Sequence, residues 1–230
     1  MRPLWCAVLA LGLFISAGEV EADPIRIVAY GDSNTAGFGV SKPNKYPSQL
    51  ERALQARGYD VEVLNAGVSG DTTSGALRRF ESAIPEGTEI VIVFLGRNDM
   101  RFGFSMDTTR RNLHEIVGRL RARGIEVILA GFYTRDFSEI ALMHGATYYP
   151  DFFDGVAVNG VKKPGYTLFW DIIGHLNASG YQEVIARLAP VVEQKVVQVF
   201  CQRLGLATMF APECQDYDAW AGIAEPVTRR

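Results

Sequence analysis

The run Tyr30-Gly31-Asp32-Ser33-Asn34-Thr35-Ala36-Gly37 sets a hydroxyl at the tip of a tight turn of small residues, directly after the apolar stretch Ile25 to Tyr30. A serine there is easily exposed. If it is a nucleophile, the chain must also supply a base, a group that orients the base, and donors for an oxyanion. The Ser33 N–H can face the same way as its hydroxyl. Asn65-Ala66-Gly67 offers a backbone N–H unencumbered by a side chain, and Gly96-Arg97-Asn98-Asp99 offers the Asn98 amide. Three donors converging on one oxygen are what a tetrahedral acyl-transfer intermediate needs. Of three histidines, His114 falls within a helical pattern and His144 in a turn, both read as structural. His175 stands just before a helix cap, with Asp171 four residues earlier, and is the candidate base.

These groups have to be held by strand ends. Ile25–Tyr30, Val61–Leu64, Ile90–Leu95, Ile125–Ala130 and Ala146–Tyr149 read as strands, the third without alternation, as a parallel strand covered on both faces would be. Between them lie helical patterns: one with Leu50, Ala53 and Leu54 inward that stops at Gly58, one from Thr72 or Thr73 to about Ala83, and one capped by Asp107 that stops at Gly124. Residues 151–170 read as loop. A final helix from Asn177 is expected to kink or break at Pro190, with a second piece from Val191 to Phe200. Alternating strands and helices imply an α/β fold of three layers, a five-stranded parallel sheet with helices on both faces and right-handed crossovers. Five strands favour the flavodoxin-like order 2-1-3-4-5, with its crevice at the carboxyl ends of the first and third strands. All three small-residue motifs fall at such ends.

The 230 residues suit one domain, and the composition is that of an ordinary globular chain. Residues 1–22 read as a signal peptide: Arg2, an apolar run from Leu4 to Ile15, then small residues to Ala22, with a cut after Gly18 as the alternative and an uncleaved anchor as the other reading. Its removal takes the formal charge from −3 to −2, which gives no electrostatic case for nucleic acid or anionic membrane, and no later stretch is apolar enough to span a bilayer. The chain is therefore expected to be exported, periplasmic or secreted, with a domain over 23–200 and a C-terminal extension over 201–230. Cys201 and Cys214 are then an even pair in an oxidising compartment, read as a disulfide, with two buried thiols as the alternative. Neither has a His or Cys neighbour at zinc-ligand spacing.

The blocks Gly31-Asp32-Ser33-Asn34-Thr35, Asn65-Ala66-Gly67-Val68-Ser69-Gly70-Asp71-Thr72-Thr73, Gly96-Arg97-Asn98-Asp99 and His175-Leu176-Asn177-Ala178-Ser179-Gly180 resemble the successive blocks of the SGNH (GDSL-type) hydrolases, closest to the thioesterase I, lysophospholipase and arylesterase-like branch. The resemblance implies Ser33 as nucleophile, His175 as general base, Asp171 as its orienter, and Ser33, Gly67 and Asn98 as the oxyanion hole. It implies hydrolysis of small to medium acyl esters or thioesters through an acyl-enzyme, on a small-molecule substrate, with no metal or cofactor. Three departures stand out. The orienting Asp usually lies three residues before the His, where this chain has Ile172. Arg97 replaces a small residue beside the hole, either as a salt-bridged surface arginine or as a selector of anionic substrates. The segment after Gly131 is short and lacks the usual proline-rich loop, so the acyl-binding wall differs. The first two leave a rival, a non-catalytic binding or scaffold protein that kept the fold.

Other motifs carry no chemistry. Gly67-Val68-Ser69-Gly70-Asp71 lacks the last glycine of a nucleophile elbow, and Gly37-Phe38-Gly39 lacks the third glycine of a dinucleotide loop. Asp32 and Asp99 are expected to hold their loops by accepting backbone N–H bonds. Phe38, Tyr46, Phe102, Phe104, Phe132 and Tyr133 are candidates for an acyl pocket or for plain packing.

Overall fold

A computed structural model of the chain describes residues 23–133 and 135–205. Residues 1–22, expected to be a signal peptide, and Cys214 lie outside the described residues. Strands β1 (Ile25–Gly31), β2 (Val61–Gly67), β3 (Ile90–Phe94), β4 (Glu126–Ala130) and β5 (Thr147–Tyr149) form one parallel sheet in the order β2-β1-β3-β4-β5, as the alternating pattern predicts. Every residue of β3 is buried, which explains its unbroken apolar run.

The helices pack in two groups. The first joins α2 (Tyr46–Gln55) to the long C-terminal helix at Ala178–Arg203; the second joins helices at Thr73–Arg78, Met106–Ala122 and Ser138–Met143. In chain order the helices are α1 (Ser33–Ala36), α2, α3 (Thr73–Arg78), α4 (Phe80–Ala83), α5 (Arg97–Arg101), α6 (Met106–Ala122), α7 (Ser138–Met143) and α8 (Ala178–Arg203). Leu50 and Leu54 of α2 and Leu113, Ile116, Val117 and Leu120 of α6 are buried. Each such side chain stabilises the fold by about 2 kcal/mol relative to leaving it in water. Glu126 of β4 and Lys195 of α8 form a buried ion pair at 3.3 Å, and Arg121 reaches the same carboxylate at 2.8 Å, which ties α8 and α6 to one strand end.

Three expectations about helices are corrected. The cap of α6 is Ser105, in extended backbone and accepting from the Thr108 N–H, so Asp107 already lies inside the first turn. The stretch 73–83 is two helices with a break at Arg79. Most consequential, α8 runs through Pro190 without ending, so of the kink or break expected there the break is ruled out. Proline removes one ladder bond, but Leu188, Ala189 and Val192 on either side of it are buried against the core, and that packing outweighs the lost donor.

The segment 151–170 is not all loop. Asn159 and Gly160 both have positive φ, 49° and 80°, and turn a short hairpin of β6 (Ala157–Val158) and β7 (Val161–Lys162). Paired left-handed residues match the strand twist of a two-residue hairpin turn. Farther on, Leu168 N–H donates to His175 O at 2.9 Å and Asn177 N–H to Tyr166 O at 3.0 Å. The chain from 166 to 177 therefore doubles back on itself, with residues 169–174 as the tip.

Candidate active site

β1 ends at Gly31, where a Cβ would lie 2.6 Å from the Phe94 carbonyl oxygen, so only glycine lets the strand pass β3 into the turn. Asp32 then caps α1, accepting from the Asn34 N–H at 2.8 Å and from Asn34 Nδ2 at 3.2 Å. Burial pushes its carboxyl up, and the Asn34 N–H and the Arg97 charge oppose that rise. As expected, it shapes the loop. Ser33 is the first residue of α1, so its N–H has no acceptor within the helix.

The Ser33 hydroxyl donates to His175 Nε2 at 2.8 Å, and His175 Nδ1 donates to Asp171 Oδ2 at 2.5 Å. All three side chains are buried. The extra residue between Asp171 and His175 is taken up by the backbone. Gly174 has a φ of 74°, and the Asp171 carboxylate accepts the N–H groups of Ile173 at 3.1 Å and His175 at 2.6 Å. Ile172 is thereby turned fully into solvent. Burial raises the Asp171 carboxyl, but those two N–H groups and the imidazole outweigh it and hold the group below its usual range. A carboxylate so held stays charged at neutral pH, as the partner of an imidazole that takes up a proton must.

The donors for an oxyanion are arranged differently from expectation. Asn98 Nδ2 donates to Asp71 O at 2.9 Å, which fixes the amide and leaves its second N–H without an acceptor among the described residues. Gly67, however, is not a free donor. Its N–H goes to Asn65 Oδ1 at 2.9 Å, and a Cβ there would lie 2.1 Å from Ala36 N. Gly67 is needed for close packing of β2 on α1. Three residues on, Gly70 has a φ of 80° and an N–H with no acceptor among the described residues, and it directly precedes the carbonyl that holds Asn98.

Sequence reasoning missed Arg79, which sits at the break between α3 and α4. Its guanidinium donates to Asp71 Oδ2 at 2.7 Å, Ala66 O at 2.9 Å and Gly31 O at 3.2 Å, over the Tyr30 ring. One side chain thus ties the ends of β1 and β2 to the 68–72 loop. A lone arginine in a helical stretch gives no sequence signal for this. Asp99 holds the same loop as expected, accepting from the Thr73 N–H at 2.9 Å and from the Thr73 hydroxyl.

Of the candidate pocket aromatics, Tyr46 and Phe132 are core residues, whereas Phe38, Phe102 and Phe104 are exposed. Phe38 lies 4.7 Å from the His175 ring, with Trp170 beyond it at 5.9 Å. Arg97 is half-buried, its guanidinium 4.8 Å from the Phe153 ring centroid and 5.9 Å from that of Tyr133, and it makes no ion pair or hydrogen bond among the described residues. The salt-bridged reading of Arg97 is therefore set aside. His114 and His144 lie away from this cluster and pair with each other, Nδ1 to Nε2 at 3.1 Å. Among the described residues, no three His, Cys, Asp or Glu side chains gather where they could hold a metal ion.

Comparison with known proteins agrees with this architecture. Residues 29–183 match the GDSL-like lipase/acylhydrolase family. Esterase TesA of Pseudomonas aeruginosa is 28% identical over 168 residues, covering 66% of this chain and 83% of its own. The arylesterase of Vibrio mimicus is 31% identical over 123 residues, covering 53% of this chain and 62% of its own. Thioesterase 1/protease 1/lysophospholipase L1 of Escherichia coli K12 is 32% identical over 109 residues, covering 47% of this chain and 50% of its own. The chain thus spans between half and two thirds of the length of these last two. Among solved structures, AlinE4, a SGNH-hydrolase family esterase, is 31% identical with a TM-score of 0.60, over 74% of this chain and 96% of its own. A crystal structure of TesA has a TM-score of 0.67 at 24% identity over 74% of this chain and 99% of its own, a likeness of fold. With the strand order, the Ser33 turn and a match across well over half its length, the chain belongs to the GDSL-like lipase/acylhydrolase family.

Proposed function

We propose that this serine hydrolase cleaves small to medium acyl esters and thioesters through an acyl-enzyme on Ser33. His175 Nε2 takes the hydroxyl proton as Oγ attacks the carbonyl carbon, and Asp171 holds the imidazole in the tautomer that presents Nε2 as acceptor. The carbonyl oxygen becomes an oxyanion that accepts from the Ser33 N–H, the free N–H of Asn98 Nδ2 and, in place of Gly67, the Gly70 N–H. Collapse of the intermediate expels the alcohol or thiol, which receives the proton from His175. Water then repeats the sequence on the acyl-enzyme, with Ser33 as leaving group.

The observation that carries this reading is the unbroken chain from Asp171 through His175 to the Ser33 hydroxyl. The rival, a non-catalytic scaffold, drew on the displaced Asp171 and on Arg97. The Gly174 turn absorbs the displacement, and Arg97 leaves the hydrogen-bond chain undisturbed. Incubation with a fluorophosphonate followed by digestion tests the point. Label on the Ser33 peptide, absent in Ser33→Ala, is expected together with turnover of p-nitrophenyl acetate; an unlabelled serine and no turnover would return the scaffold reading.

The compartment is part of the same proposal. Residues 1–22 serve as a signal for export, and Cys201 pairs with Cys214 to close the extension over 201–230. Among the described residues, no helix is long and apolar enough to cross a membrane. Thiol titration of protein recovered from an oxidising compartment is expected to find neither cysteine free.

A further inference from the structure

Lys162, on β7, is the second half-buried cation beside the site. Its ammonium lies 4.6 Å from the centroid of the Phe153 ring, the ring that Arg97 also covers, and donates to the carbonyl of Gly174, the residue before His175. One cation is thus bonded in sequence to Asn98 and the other is hydrogen-bonded next to the base. Burial, and then the Arg97 charge, push the Lys162 ammonium down to about 8, against the pull of Asp171 and Asp32.

The carboxylates that could neutralise this pair are already engaged. Asp32 is held by Asn34, and Asp171 by Ile173 and His175. Ion pairs are made elsewhere, and neither Arg97 nor Lys162 takes part in one among the described residues. Two like charges sharing one aromatic ring and partly removed from water cost free energy unless an anion meets them. A guanidinium offers up to five donors in a fork that fits carboxylate or phosphate, and an ammonium offers three, of which the Gly174 carbonyl uses one.

We infer that Arg97 and Lys162 form an anion subsite beside the scissile bond and select ester substrates that carry a carboxylate or phosphate, resting on the ester-hydrolase reading above. The anion accepts from both cations. Its binding energy acts within a few bonds of the oxyanion donor and the base, where it bears on substrate choice as well as affinity. Phe153 serves as the platform that spaces the two charges.

Paired substrates test the subsite and distinguish its two sources. On the acyl side, mono-4-nitrophenyl glutarate is compared with 4-nitrophenyl pentanoate; on the leaving-group side, 4-acetoxyphenyl phosphate is compared with phenyl acetate. The parent protein is expected to favour the anionic member of one pair by about tenfold in kcat/KM, with the preference shrinking as salt is raised. Arg97→Met and Lys162→Met are each expected to lower that ratio roughly five- to tenfold, and Arg97→Lys to keep part of it. Ratios near one in both pairs while neutral esters turn over, or a ratio that Arg97→Met leaves intact, would overturn the subsite. Loss of all hydrolysis would instead strike the ester-hydrolase reading. Calorimetry of Ser33→Ala protein with mono-4-nitrophenyl glutarate and the pentanoate then decides the subsite alone, by whether the anionic ester binds more tightly.

Discussion

Ser33 and Asn98 stand at the ends of strands buried on both faces, whereas Asp171 and His175 stand on a doubled-back loop whose neighbours Phe169 and Ile172 are wholly exposed, at 99% and 102%. The first side of the crevice is held by core packing and by Arg79. The second is held by a few polar bonds: the Leu168–His175 and Tyr166–Asn177 pairings, the Lys162–Gly174 contact and the Asp171 carboxylate itself. Regions that rely on few buried contacts open locally at lower cost. The nucleophile and the donors therefore have fixed places, while the base depends on the loop keeping its shape.

Substitutions can break or sharpen that contrast. Ser33→Ala and His175→Ala should each lower kcat by roughly 10⁵ to 10⁶, and the double variant should lose little more, since the residues act as a unit. A double variant much worse than either single one would separate the two sides chemically. Asp171→Asn is next, with an expected loss of about 10² to 10⁴ and an unchanged melting temperature for the sheet. A near-parental rate would move the orienting role to another group. On the strand side, Asn98→Ala should cost about 10² to 10³ in kcat with KM little changed, which steady-state kinetics would read directly.

Gly174→Ala tests the loop without touching a reacting atom. Its φ of 74° suits glycine, so alanine should destabilise by about 1 kcal/mol and reduce kcat several-fold, an effect that denaturant melts and kinetics can separate. The last test concerns Lys162 and reads stability alone. Its folded value is depressed from 10.5 to about 8, so the stability linked to its titration is present above the unfolded value and lost as pH falls through about 8. Parent minus Lys162→Met melting temperature should accordingly rise between about pH 8 and 10.5, by several degrees. A flat difference would show that the ammonium pays no cost in its place beside Arg97.

The sheet was legible because its signals are periodic and local: an unbroken apolar run for β3, turns of small residues at strand ends, and Leu and Val at helical spacing in α6. What escaped depended on distant contacts. Pro190 reads as a stop until Leu188 and Val192 are known to be buried, and Arg79 is unremarkable until Gly31, Ala66 and Asp71 surround it. The Asn159-Gly160 hairpin is a different case, since that dipeptide is a strong turn signal that mixed composition concealed. Gly67 and Gly70 differ in backbone angle, in packing and in where their N–H groups go, none of which their residue type reveals.

Helix α8 begins three residues after His175 and is 26 residues long, so it reaches about 39 Å. At its far end Arg203 grips Glu89 at 2.6 Å and the Asp23 carbonyl at 2.5 Å, where the chain first enters the sheet. The imidazole is thus mounted on a rod clamped at the opposite edge of the molecule. Damage near residue 203 would be felt as play in the proton-transfer machinery, far from any substrate.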